Sequence, residues 1–120
     1  MTINTLREVL RVYIDKNPVI AVQSPISDIY MRLSATCIYC TCPVKIFDKN
    51  VVPLIISLYS DSDKYGYLTS AEVLTKITDI DKYDDINTVF IVNGRILDIS
   101  GMRYDAEKNI LILYFEVIKL

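Results

Sequence analysis

Thr69-Ser70-Ala71-Glu72-Val73-Leu74 repeats the pattern of Thr5-Leu6-Arg7-Glu8-Val9-Leu10, and this pair of segments decides how the chain is read. Each has the form of a capping box: the threonine hydroxyl accepts from an orphan N–H of a helix's first turn, and the glutamate three residues on reaches back to the threonine N–H. Behind the first box Leu6, Val9, Leu10, Tyr13 and Ile14 fall on one helical face. Asn17-Pro18 ends that helix, because a residue before proline avoids the helical region. Behind the second box Val73, Leu74 and Ile77 give a shorter apolar face.

The segments after the two helices also match. Val19–Val22 corresponds to Val89–Val92, and Ile26-x-Asp28-Ile29 to Ile96-x-Asp98-Ile99. More loosely, Phe47-Asp48-Lys49-Asn50 resembles Tyr104-Asp105 through Lys108-Asn109. Strands are expected at 19–22, 26–33, 37–47 (with Pro43 at an edge or bulge), 54–59, 88–92, 95–100, 102–104 and 110–118, with a turn at Asp48-Lys49-Asn50. Asn93-Gly94 is the strongest short hairpin signal, since a type I′ turn needs positive φ at both central residues. Ile110 to Phe115 is apolar on both parities, as a central strand covered on both faces would be. The expected fold class is α+β: two capped helices packed on antiparallel sheet, a tandem duplication of a helix–β–β–β unit. One domain is expected over 1–120, with half-repeats at about 1–60 and 67–120 and a polar linker at 60–66.

A chain of 120 residues, 52% hydrophobic and 23% charged, can bury one core without staples. The formal charge is −2 and the 13 basic residues are dispersed, so direct nucleic-acid binding by phosphate neutralisation is not expected. Residues 60–85 carry three basic and seven acidic side chains, which makes the middle of the chain an acidic segment. The opening MTINTLREVL does not read as a signal peptide, and no charge-free run approaches the ~20 residues that span a bilayer. Three clustered cysteines do not make a secreted disulfide framework, and a cytoplasmic location is expected.

Histidine is absent, which removes the usual general base and the commonest metal ligand. The three glycines are too far apart to build a phosphate-cradling loop. Catalysis and a bound cofactor are therefore not expected. Asp28 and Asp98 are the most specific carboxylate pair, against a plainer reading as turn residues bonded to backbone. Cys37, Cys40 and Cys42 could supply three thiolates to a metal, but Cys40 and Cys42 share a strand face that Cys37 does not, and a fourth ligand is missing. Buried core thiols are the preferred reading.

A partner surface is expected on the acidic, tyrosine-bearing segments: Asp61, Asp63, Tyr65 and Tyr67 before the second helix, and Asp79, Asp81, Tyr83, Asp84 and Asp85 after it. Tyrosine supplies large contact area at low entropic cost, and clustered carboxylates steer a basic partner. The alternative is an oligomer that sequesters a small molecule or nucleotide, for which Arg32, Arg95 and Arg103 are the suppliers of phosphate contacts. A structural subunit of a larger assembly is a third reading, and a homodimer is compatible with all of them.

Residues 68–113 resemble small accessory proteins of bacteriophages and mobile elements: Thr69-Ser70-Ala71-Glu72-Val73-Leu74 on a helix, Val89-Phe90-Ile91-Val92-Asn93-Gly94 into a hairpin, then Asp98-Ile99 and the turn from Tyr104-Asp105 to Asn109. The resemblance implies a non-enzymatic, stoichiometric inhibitor or adaptor of anti-defence (anti-CRISPR-like) type. It implies work in the cytoplasm of a bacterial host cell on a protein partner, a bacterial defence protein.

Overall fold

Ile110–Val117, the strand read as two-sided, lies between an antiparallel neighbour and a parallel one. The structure, a computed structural model, describes residues 1–24, 26, 28–40, 42–58, 66–78, 85–92 and 94–117, with the backbone alone at 35–40 and 78. Its elements are α1 (Ile3–Val12), β1 (Val19–Gln23), β2 (Tyr30–Cys40), β3 (Val44–Ile46), β4 (Lys49–Leu58), α2 (Ser70–Thr78), β5 (Asn87–Val92), β6 (Arg95–Asp105) and β7 (Ile110–Val117).

The strands run in the order β2-β1-β7-β6-β5-β4, and β2 pairs back onto β4 through Leu33 with Leu58 and Cys40 with Leu54. That last pairing closes a six-stranded barrel, with β3 attached outside it on β4. The expected α+β class, two capped helices packed on antiparallel sheet, is thereby corrected: the described residues are mostly β, with two short helices. Two of the joins, β1–β7 and β4–β5, are parallel. Parallel neighbours in sequence need a crossover rather than a tight turn. The helix α2 lies between β4 and β5 in the chain, so it is a crossover in a ring and not a layer on a sheet.

Pairings in one half recur in the other. Ala21 opposite Arg32 recurs as Ile91 opposite Ile96, Ala21 opposite Ile112 as Ile91 opposite Ile55, and Tyr39 opposite Ile55 as Arg103 opposite Ile112. β2 and β6 each carry a bulge, between Leu33 and Ile38 and between Ile99 and Gly101. In this register Val19–Val22 stands against Val89–Val92. Ile26, Asp28 and Ile29, expected to open the second strand, instead lie before β2. Asp28 and Asp98 are therefore not counterparts, and neither are Arg32 and Arg103.

Six strands leave an interior that side chains fill. Ile20, Leu33, Leu54, Ile56, Phe90, Val92, Leu111, Leu113 and Phe115 share one buried cluster with Leu6 and Leu10 of α1 and Val73 and Ile77 of α2. A cavity of about 10 Å³ lies where Leu6, Leu10 and Val73 of the helices meet Phe90 and Leu113 of the wall. The helices plug the end at which β1 and β5 begin. Crosswise backbone bonds fix them: Thr88 N–H donates to the Met1 carbonyl at 2.8 Å and Ile3 N–H to that of Ile86 at 3.1 Å, while Ile20 N–H donates to Leu68 at 2.8 Å and Ser70 N–H to Pro18 at 2.9 Å. Thr69 caps α2 as expected, its hydroxyl accepting from Glu72 N–H at 3.4 Å, but the Glu72 carboxylate accepts from that hydroxyl at 3.1 Å in place of the Thr69 N–H that a full box requires. The first helix starts earlier than its box predicted. Thr2 is its cap and accepts from Thr5 N–H at 3.1 Å, because Ile3 extends the buried stripe of Leu6 and Leu10 by one turn.

The turn between β3 and β4 is Phe47-Asp48, one step before the expected position, with φ of 52° and 62°. A two-residue hairpin demands those signs, yet a bulky side chain in the left-handed region costs about 1 kcal/mol. Replacing the pair by Asn-Gly should therefore raise the melting temperature by about 3–6 °C, read by circular dichroism. An unchanged or lower melting point would show that Phe47, 48% exposed, is worth more in place than its strain costs.

Candidate functional site

Of the acidic, tyrosine-bearing segments, Tyr67 and Asp85 are within the described residues; Asp61, Asp63, Tyr65, Asp79, Asp81, Tyr83 and Asp84 lie outside them. Asp85 is exposed in the turn that leads to β5. Tyr67 bridges to Ser34 on β2. Its hydroxyl accepts from Arg32 Nη1 at 2.9 Å, and the guanidinium carbon sits 4.6 Å from the ring centroid. Tyr67 and Arg32 were assigned to rival sites on the sequence and form one stacked, hydrogen-bonded pair here.

That pair borders an outward face built by four adjacent strands. Register places Arg103, Ile112, Ala21 and Arg32 side by side across β6, β7, β1 and β2, with Gly101, Tyr114, Gln23 and Tyr30 in the next row. Ala21, Ile110 and Ile112 are buried although they point out of the barrel, because Tyr30, Tyr114 and Val19 pack over them. Arg103 Nε donates to the Tyr114 hydroxyl at 3.2 Å, and Lys108 Nζ lies 5.8 Å from the Tyr30 ring centroid. The Tyr114 hydrogen bond is the main cause that holds the Arg103 guanidinium above its ordinary value. Tyr30, Met31, Arg32 and Tyr67 line a cavity of about 320 Å³ on this face.

The three arginines of the nucleotide alternative do not come together. Arg32 and Arg103 stand three strand spacings apart, ~14 Å, and Arg95 belongs to the far end of the barrel. There, opposite the helices, an apolar mouth of about 570 Å³ opens. Val22, Leu58, Val92, Leu97 and Phe115 line it from inside, Arg95 and Glu116 from its rim. Ile26 is 97% exposed and Ile29 78% exposed in the adjoining β1–β2 loop. This feature was missed on the sequence, because Ile26 to Leu33 read as one strand. The signal available was Ser24-Pro25 in front of two isoleucines that no strand needed.

Asp28 is exposed in the β1–β2 loop. Asp98 lies within β6, where its carboxylate accepts from Ile99 N–H at 2.8 Å and stands 3.7 Å from the Met1 amino group. The side chains of Cys37 and Cys40 lie outside the description. Cys42 is exposed, so the buried-thiol expectation fails for it: the strand ends at Cys40 and the chain leaves the sheet before Cys42. Among the described residues no three Cys, Asp or Glu side chains gather as a metal site, and no helix is long and apolar enough to cross a membrane. What these surfaces offer chemically is contact: rings, guanidinium donors and an apolar recess. The chain matches no family model, no curated protein and no solved structure.

Proposed function

We propose that this protein works by stoichiometric protein binding, as a non-enzymatic inhibitor or adaptor, and that the tyrosine–arginine face of β6, β7, β1 and β2 is its partner surface. The observation that carries this reading is the Arg32–Tyr67 stack beside Tyr30. Tyrosine and arginine dominate binding hot spots, and side chains already held by a hydrogen bond lose less freedom on association. Of the residues expected from the sequence to form the partner surface, Tyr67 belongs to this face, and Asp61, Asp63 and Tyr65 precede it in the chain. The phage-type role, with a bacterial defence protein as partner, is proposed on the resemblance of residues 68–113.

Native mass spectrometry of the tagged chain captured from bacterial lysate tests the proposal. A protein is expected in fixed stoichiometry. Arg32→Ala with Tyr67→Ala should weaken its retention about thirtyfold, the scale of a ~2 kcal/mol hot spot, while the melting temperature moves by only a few degrees. Reversal of Asp81, Asp84 and Asp85 to lysine should weaken it as well. A partner retained undiminished by both sets overturns the assignment of the surface. An added mass of a few hundred daltons and no protein overturns protein binding in favour of a sequestered small molecule.

A further inference from the structure

We propose that the open mouth of the barrel is where two copies of this chain meet about a two-fold axis, Ile26 of each copy entering the mouth of the other. An isologous contact requires one surface that carries both halves of every interaction. The mouth meets that condition twice. It holds an apolar recess of about 570 Å³, and the same rim carries Ile26, 97% exposed, as the projection to fill it. It also holds one charge of each sign. Arg95 and Glu116 both line the mouth and both are exposed, yet among the described residues neither side chain makes a hydrogen bond or ion pair. A two-fold arrangement sets Arg95 of one copy against Glu116 of the other, twice.

A different protein of one charge would be met by a rim of the opposite charge. A rim with one cation and one anion left unsatisfied suits its own copy better. The apolar margin points the same way. Ile29 at 78% exposure, Val117 at 61% and Met31 at 48% line the recess, so its margin is apolar as well as its floor. A neighbouring recess of about 370 Å³ shares Arg95 and Val117 with the mouth and brings in Phe47, which widens the surface on one side. Gln23 and Met31 border both the mouth and the tyrosine–arginine face, but Arg32 and Tyr67, which carry the proposed function, line no part of the mouth and stay open in such a dimer. This inference therefore stands or falls apart from the proposed function.

Sedimentation velocity and light scattering of the purified chain between about 1 and 100 μM span the range in which a dimer with Kd of ~10 μM assembles. The expected mass rises with concentration from 13.8 kDa toward twice that value. Ile26→Asp should stay monomeric throughout, with the circular dichroism spectrum of the parent, since the side chain is exposed. Arg95→Glu alone and Glu116→Arg alone should each weaken association at least about tenfold by setting like charges together. The double exchange should restore association to near the parent value. A mass of 13.8 kDa at every concentration overturns the proposal, as does a dimer that persists in Ile26→Asp or a double exchange no better than the single ones.

Discussion

Phe90→Ala should cost the fold about 3–5 kcal/mol, the largest loss expected from any single truncation here. Phe90 is 2% exposed and stands inside the barrel on β5. Its ring centroid lies 4.8 Å from that of Phe115 on β7, with the planes 42° apart. β6 separates the two strands in the ring, so the contact reaches across the interior and ties non-adjacent staves. A cavity of about 10 Å³ already lies against Phe90 between the wall and the helices, and deleting the ring enlarges it. Against a total stability on the order of 5–15 kcal/mol, that loss can leave part of the population unfolded. Phe90→Leu keeps most of the volume and should cost roughly 1–1.5 kcal/mol. Urea melts of Phe90→Leu, Phe115→Leu and the double variant should give a coupling of about 0.5–1.5 kcal/mol. Strict additivity of the two would show that the rings do not support one another, and a Phe90→Ala loss below ~1 kcal/mol would show that the interior is not close-packed.

The parts of this architecture that were legible in the sequence are those that local chemistry decides. Ile110 to Phe115 is apolar at every position from 110 to 113, and β7 buries Leu111 and Leu113 inward and Ile110 and Ile112 outward. The Thr69 cap holds because its hydroxyl and the Glu72 amide are within one helical turn. Gly94 takes φ of 79° at the β5–β6 turn, as a hairpin glycine should. The first cap was displaced because Thr2 and Thr5 have the same chemistry, and only the burial of Ile3, a contact with distant strands, decides between them.

Closure of the barrel was not legible. It depends on β2 meeting β4 and on β1 lying parallel to β7, pairings between segments far apart in the chain. Alternation tells which side of a strand is buried but not which strand is its neighbour. Once the ring closes, the sequence matches sort themselves: Val19–Val22 keeps its counterpart, whereas Ile26 and Ile29 are left on a loop at the mouth. The candidate sites follow the same division. Arg32 and Tyr67 are 35 residues apart and could be joined only by the fold, through Leu68 N–H donating to the Leu33 carbonyl at 2.8 Å and the bridge from Tyr67 to Ser34.

Arg7→Ala should destabilise the protein by about 2–4 kcal/mol, although a charged residue on a helix surface ordinarily tolerates such a change. Arg7 is 5% exposed in the seam between α1 and α2, and its Nη2 donates to the Ile77 carbonyl at 3.3 Å. Ile77 is in the last turn of α2, where carbonyls have no intrahelical donor and the helix dipole favours a cation. The guanidinium thus does for the end of α2 what the Thr69 hydroxyl does for its beginning. Alanine deletes the donor and the buried stem together, leaving the carbonyl buried with one partner fewer, a loss of about 1–3 kcal/mol by itself. Arg7→Met separates the two contributions, since it keeps the stem volume and removes only the charge and its hydrogen bonds. It should recover part of the loss, whereas Arg7→Lys should not recover all of it, because an ammonium lacks the planar fork. Amide exchange locates the effect: the last turn of α2 should lose protection before the barrel strands do. Equal loss of protection everywhere would mean that Arg7 supports the barrel as a whole and not the end of α2.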